Sequence, residues 1–314
     1  AVVDAIAHLA SPLVLLGAGG KMGPSLALLA KRAAAVAGKE LEVVAVSRFS
    51  NVTVRCWLDE RGIKTIACDL LEADALKGLP DAENLIYLVG LKFGTSLHPA
   101  ATWAANTLVP AHVCERYPNS RIVALSTGNV YPAVNVESEG SLETDALTPL
   151  GEYANAAVGR ERLFEYVAGR RHIAVALIRL FYATELRYGV LCDIARWVYQ
   201  GKPVLLANGY FNCMVLCAFP LAAHPPSAWN LCRPEKFRVR TIAHALGREL
   251  DRTPQFGGDE ADTALLGNAT RLCAAIGTPP TSMQQMLHWT AHWVAKGGRT
   301  LNKPTHFDVR NGQY

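Results

Sequence analysis

The sequence predicts an α/β protein: a doubly wound parallel sheet with helices on both faces, followed by a smaller C-terminal α/β cap. Three observations predict it. Short apolar runs alternate with Ala- and Leu-rich stretches over the first 180 residues. A glycine-rich turn joins the first apolar run to the first such stretch. After Leu180 the alternation stops, and Gly and Pro signals separate short apolar pieces. Alternating strands and helices need crossover connections, which favour parallel pairing with helices on each face.

Each element has its own signal. Pro12-Leu13-Val14-Leu15-Leu16 is wholly apolar and reads as a strand buried on both faces. Residues 21–37 are rich in Ala and Leu, with Pro24 near the start, where a helix tolerates proline. Strands are expected at 41–46, 64–68 and 84–89, a helix at 100–116, a strand at 121–125, a helix at 153–168 and a strand at 173–180. Further helices are expected at 239–250, 261–276 and 282–295, and 300–314 reads as a polar tail. The chain divides at 180. The cap, 181–314, is built partly from segments that return over the carboxyl ends of the strands, where open α/β sheets bind ligands.

Bulk properties narrow the class. The 314 residues are half hydrophobic and 18% charged, with a net charge of +4, which suits a globular enzyme with a sizeable core. Lys and Arg are scattered, so neither a nucleic acid nor an acidic membrane is indicated as partner. Residues 203–232 hold no Lys, Arg, Asp or Glu, but Asn208, Gly209, Asn212, Pro220, His224 and Pro225 break them into pieces. A membrane span needs roughly 18 consecutive apolar residues. No secretory signal pattern is visible, and the eight cysteines contain no C-x-x-C pair. They are expected to be buried free thiols in a reducing, cytoplasmic setting.

The turn Gly17-Ala18-Gly19-Gly20-Lys21-Met22-Gly23 follows a buried strand and opens a helix. That context makes a phosphate cradle: glycines let the backbone approach a pyrophosphate, and the helix N-terminus offers free N–H groups and a favourable dipole. A Rossmann-type dinucleotide site is therefore expected there, with Gly17, Gly19, Gly20, Lys21, Met22 and Gly23 against the cofactor.

The spacing Gly17, Gly20, Gly23 fits G-x-x-G-x-x-G. It resembles the short-chain dehydrogenase/reductase superfamily, in particular its extended branch, the NAD-dependent epimerase/dehydratase family. The resemblance continues in register over most of the first 180 residues. Cys68-Asp69-Leu70 looks like the family's Asp-Leu after the third strand, and Leu88-Val89-Gly90 stands where the family has Ala-Ala or Ala-Gly after the fourth. Asn106 matches the helix asparagine, and Ser126-Thr127-Gly128-Asn129-Val130-Tyr131 looks like Ser-Ser/Thr-x-x-Val-Tyr. Tyr153, with Glu161 eight residues on, matches the Tyr-x-x-x-Lys…Glu helix. The resemblance implies that Asp69, Leu70, Val89, Gly90, Asn106, Ser126 and Tyr153 contact the cofactor.

At the end of the second strand an acid would grip the ribose 2′-OH of NAD. This chain has Ser47-Arg48 there, and a hydroxyl beside a guanidinium suits a 2′-phosphate. NADP is expected, with NAD the alternative if Arg48 only stacks on adenine.

In the family, by resemblance, a Tyr acts as acid/base, a Ser or Thr holds the substrate oxygen, and a Lys four residues after the Tyr holds the nicotinamide ribose and favours the phenolate. Register gives Thr127 and Tyr153 the first two roles, but the lysine place is Ala157. A tyrosine with no cation nearby titrates near ~10 and is a poor base at neutral pH. Lys92, in Gly90-Leu91-Lys92-Phe93-Gly94 at the ligand-binding edge, is the candidate substitute. Arg160, seven residues beyond Tyr153, is a weaker one. The nicotinamide's own charge is a third source of help.

Other departures are visible. Gly128-Asn129 stands where nucleotide-sugar dehydratases of the family carry Asp-Glu, which disfavours 4,6-dehydration. Tyr182-Ala183 replaces a usual Asn-Pro, and 209–230 is short for the family. Arg187, Tyr188 and Asn129 are expected to meet substrate, with Glu185, Asn208 and Tyr210 as further pocket candidates. His288 and His292 lack the Glu of a zinc-protease helix and have no evident third ligand, so no metal is expected. Trp289 and Trp293 are expected in the core. No G-x-S-x-G elbow occurs.

The expected function is NAD(P)-dependent oxidation/reduction or epimerisation at a secondary alcohol of a sugar or sugar derivative. The alternative, raised by Ala157, is a dinucleotide-binding regulator or scaffold without turnover. The resemblance also implies a homodimer formed through helices such as 100–116 and 153–168.

Overall fold

The computed structural model describes residues 1–92, 94–182, 184–205, 215–302, 305, 307, 311 and 312. In chain order the Rossmann part comprises α1 (Val2–Ala7), β1 (Leu13–Leu16), α2 (Gly23–Val36), β2 (Val43–Ser47), α3 (Val52–Asp59), β3 (Lys64–Ala67), α4 (Ala73–Leu76), β4 (Asn84–Tyr87), α5 (Pro99–Arg116), β5 (Arg121–Thr127), β6 (Val134–Asn135), α6 (Gly151–Arg171) and β7 (Ala174–Leu180). There follow β8 (Thr184–Glu185), β9 (Tyr188–Gly189), α7 (Val190–Tyr199), β10 (Pro203–Leu205), β11 (Ser227–Leu231), α8 (Val239–Leu250), β12 (Gln255–Gly257), β13 (Thr263–Ala264), α9 (Thr270–Ile276) and α10 (Met283–Ala295).

Seven strands form one sheet in the order β11-β7-β5-β4-β1-β2-β3, and every pairing in it is parallel. All four residues of β1 and of β4 are buried, as strands covered on both faces must be. One face packs Leu13, Leu15, Val43, Ala45 and Ile86 against α1 and α2. The other packs Val14, Leu16, Val44, Val46 and Tyr87 against α5 and α6. Chain order reverses between β1 and β4, which places the ligand crevice at their carboxyl ends.

The second core lies outside the sheet. α7 buries Val190, Leu191, Ile194, Ala195 and Val198, and α8 buries Val239, Ile242, Ala243, Leu246 and Leu250. Both sets recur at three and four residues, so each helix presents one apolar stripe. The stripes meet each other and Met283, Ala291 and Val294 of α10.

Three expectations are corrected. Residues 261–276 are not one helix: Thr263–Ala264 pairs antiparallel with β6, and only Thr270–Ile276 is helical. The physical reason is the return of 266–268 to 140–141, where Ser141 N–H donates to Leu266 O and Asn268 N–H to Ser141 O. Trp289 is not core but 46% exposed, because α10 turns its other face to α7 and α8. Cys56 is exposed on α3, while Cys68, Cys114, Cys192, Cys217 and Cys232 are buried; Cys213 lies outside the described residues. Among the described residues no helix is long and apolar enough to cross a membrane.

Candidate active site

The glycine turn is built so that backbone alone can occupy it. Gly17 N–H and Ala18 N–H both donate to Val46 O, at 2.8 and 3.0 Å, which ties the turn to β2. Gly17 has φ +82°, and a Cβ there would lie 3.0 Å from the Leu88 carbonyl carbon. At Gly23 a Cβ would lie 2.2 Å from Ala18 O, so only hydrogen lets α2 start this close to the turn. Its first N–H groups have no partner within the helix, and Met22 and Gly23 at its start line the crevice. These residues fit a dinucleotide pyrophosphate.

Above the turn, a cavity of about 780 Å³ opens along the carboxyl ends of the central strands. The turn contributes Gly17, Gly20, Lys21, Met22 and Gly23, the segment after β4 contributes Val89, Gly90 and Lys92, and the end of β5 contributes Ser126, Thr127 and Asn129. Helix α6 reaches it at Tyr153 and Arg160, and β9 at Tyr188. The described lining holds three cations, Lys21, Lys92 and Arg160, and no carboxylate.

Thr127 ends β5 and is buried. Its Oγ1 accepts from Asn129 N–H at 3.2 Å and donates to Asn129 Oδ1 at 3.0 Å. Tyr153 is 8% exposed. Lys92 Nζ stands 5.7 Å from the Tyr153 ring centroid, and burial lowers the Lys92 ammonium from 10.5 to about 8. Lys21 Nζ donates to Tyr188 Oη at 2.8 Å and lies 4.1 Å from that ring's centroid. Burial first, then Asp193 and Tyr153, push the Tyr188 phenol up.

Behind the wall lies a polar network the sequence reading did not anticipate. Glu161 is fully buried and accepts from Arg179 Nη2 at 2.7 Å and from Ser126 Oγ. Arg179 Nη1 also donates to Tyr131 Oη. Tyr131 donates onward to Asn230 Oδ1 at 3.0 Å, and Asn230 Nδ2 donates to Ser141 O at 2.8 Å. Burial raises the Tyr131 phenol to about 12, with Arg179 opposing. The available signal was Arg179 itself, a lone charge in the apolar run Ala174-Val175-Ala176-Leu177-Ile178-Arg179-Leu180. Such a residue is buried only with a partner.

The remaining expected residues lie elsewhere. Gly19, Ser47, Arg48 and Asp69 sit at the β2–β3 end, outside this cavity. A Cβ at Gly19 would lie 2.6 Å from Ser47 Oγ. Arg48 Nη1 is 3.9 Å from Asp69 Oδ2, both side chains being exposed. The Leu70 side chain is buried in the core beside β3. Asn106 is buried and bonded to Thr102, Leu91 and Arg160. Arg187 pairs with Glu185 and does not line the cavity. Asn208, Tyr210, Phe93 and Ala183 are outside the described residues. His288 lies 2.9 Å from Glu249, and among the described residues no three His, Cys, Asp or Glu gather as a metal site.

A search of curated proteins finds no match. Solved structures do match in fold. UDP-glucose 4-epimerase from Thermotoga maritima with UDP-glucose superposes with a TM-score of 0.73 at 15% identity, over 91% of this chain and 99% of that one. UDP-glucuronic acid 4-epimerase from Bacillus cereus with UDP-glucuronic acid and NAD gives 0.73 at 15% identity, over 91% and 99%. Thermus thermophilus UDP-glucose 4-epimerase with NAD gives 0.71 at 15%, over 90% and 98%. Residues 13–191, more than half of the chain, match the model of the NAD dependent epimerase/dehydratase family. With its seven-stranded parallel sheet and glycine turn, the chain belongs to that family and is an enzyme of its type.

Proposed function

We propose that the protein catalyses nicotinamide-dependent oxidation/reduction or epimerisation at a secondary alcohol of a sugar nucleotide or similar sugar derivative. One observation carries this: Thr127, Tyr153 and Lys92 line the same cavity as the glycine turn, beside two further cations and no described carboxylate. That charge balance suits ligands bearing phosphates, and the structural relatives were solved with UDP-sugars and NAD.

Gly17, Gly20, Lys21, Met22, Gly23, Val89 and Gly90 hold the dinucleotide on this reading. When bound, the nicotinamide supplies the hydride acceptor and donor. Thr127 donates to the substrate oxygen, Tyr153 takes the hydroxyl proton, and Lys92 supplies the positive charge that favours the Tyr153 phenolate. Tyr188 and Asn129 contact the sugar side. The test is incubation with NAD or NADP and a panel of UDP-sugars, followed by product analysis, since an epimerase returns its hydride and shows no net absorbance change. Firm cofactor binding with no product from any sugar would overturn the reading in favour of a binder without turnover.

NADP is the proposed cofactor, from Ser47 and Arg48 at the tip of β2. The Arg48–Asp69 contact is long and exposed, so it leaves the guanidinium able to meet a phosphate at little cost. Arg48→Ala is expected to weaken NADP binding about tenfold, the equivalent of ~1.4 kcal/mol, with NAD binding unchanged in calorimetry. Equal losses for both cofactors would count against NADP.

A further inference from the structure

We propose that Arg160 is a positioning residue: through Asn106 it holds the loop that sets Lys92 over the Tyr153 ring. The inference rests on the role given to Lys92 above.

At the family lysine's place, Ala157 is fully buried against Val130, Tyr131 and Phe181 and does not line the cavity. One turn further on, Arg160 does. Its side chain is 3% exposed, yet no carboxylate among the described residues forms an ion pair with it. Nη1 donates to Leu125 O at 2.7 Å, Nη2 donates to Asn106 Oδ1, and Nε has no hydrogen-bond partner. A buried guanidinium without a counter-charge is costly, so its retention beside the reacting groups points to use.

The direction of the bonds supplies the mechanism. A guanidinium only donates, so Asn106 must turn Oδ1 toward Arg160. That orientation sends Nδ2 to Thr102 O at 2.8 Å and to Leu91 O at 3.3 Å. Leu91 precedes Lys92, whose Nζ lies 5.7 Å from the Tyr153 ring centroid. Gly90 completes the fit, because a Cβ there would lie 2.8 Å from Arg160 Nη2 and 3.5 Å from Asn106 Oδ1. Positions 90, 106 and 160, from three different segments, therefore interlock under one lysine. The other titratable groups on this cavity are Lys21 before α2, Tyr131 after β5, Tyr153 on α6, Tyr182 after β7 and Tyr188 on β9. None of them bonds Leu91.

The experiment uses the full chain without cofactor. Its lysines are reductively methylated with ¹³C-formaldehyde, and the Lys92 signal, assigned by its loss in Lys92→Arg, is titrated by NMR. In the wild type the midpoint lies well below those of the surface lysines. In Arg160→Met and in Asn106→Ala the freed loop gains water, so the midpoint rises at least one pH unit toward the surface values. The double variant moves no further than either single one, because both act through one chain of bonds. Gly90→Ala, which presses on the same guanidinium, shifts it in the same direction if Arg160→Met fails to fold. An unmoved midpoint in Asn106→Ala and Gly90→Ala, or additive shifts in the double variant, overturns the inference. Turnover separates it from its premise. Near-normal kcat in Lys92→Met sinks the role of Lys92 while leaving the NMR result standing. Loss of kcat there with no midpoint shift in the other variants sinks only the positioning.

Discussion

Replacing Lys92 with Met is expected to lower kcat at least ~100-fold on whichever sugar the product panel identifies, since general acid–base steps are worth ~10²–10⁴. On the roles proposed above, Tyr153 loses the cation that assists it, while the glycine turn proposed to hold the cofactor is untouched, so cofactor affinity changes little. The sign of the pH dependence follows from burial. Lys92 is held low, at about 8, so its charge is present below that pH and lost above it. The wild-type rate therefore falls as pH rises through about 8, and Lys92→Arg, which stays charged, lacks that falling limb. Stability moves the other way. The unfolded chain binds the Lys92 proton more tightly than the folded one, so stability rises as pH climbs from about 8 toward 10.5. Lys92→Met removes a desolvated charge and is expected to melt higher than wild type at pH 7. A variant with full turnover and an unchanged pH profile would remove Lys92 from the chemistry.

The second large effect lies behind the wall. Glu161→Ala leaves the buried Arg179 guanidinium without its counter-charge and takes the acceptor from Ser126. Breaking one side of such a pair costs about 3–5 kcal/mol, which for a chain of this size lowers the thermal midpoint by roughly 5–8 °C. Arg179→Met alone is expected to behave similarly. Glu161→Met combined with Arg179→Met recovers most of the loss, because two apolar side chains bury without a desolvated charge. Melting curves of the four proteins check this, and a single variant within about 1 kcal/mol of wild type would show that the pair does not hold the sheet.

The Rossmann part was legible because its strands are covered on both faces. β1, β4 after Asn84, and most of β5 and β7 are unbroken apolar runs, the pattern of strands buried on both faces. The glycine turn was legible for a related reason, since its spacing is dictated by where a Cβ cannot fit. The cap was less so. Thr263–Ala264 forms a strand only because Val134–Asn135 is brought alongside it from far away in sequence, and no local propensity carries that pairing. Val190–Tyr199 has a clear apolar stripe, but Val, Ile, Trp and Tyr within it weaken the helical signal. In the site, Thr127 and Tyr153 were placed by register and Lys92 by its loop at the ligand-binding edge, and all three line the cavity. Arg160 was set lower because seven residues along a helix is a rise of roughly 10 Å. Its guanidinium nevertheless reaches the cavity wall, bonding Leu125 O and Asn106 Oδ1, and counting residues from Cα to Cα hides that reach.

The seventh strand has a consequence for how the chain is made. β7 is paired on one side by β5 and on the other by β11, and Asn230 within β11 accepts from Tyr131 and donates to Ser141. A nascent chain that has emerged only as far as Leu180 therefore presents β7 with a bare row of N–H and C=O groups, and leaves Tyr131 short of its acceptor. Such an edge is sticky, and it stays open until about fifty more residues, the whole of α7 included, have been synthesised. The N-terminal part can collapse early, but its sheet is sealed by residues that arrive late.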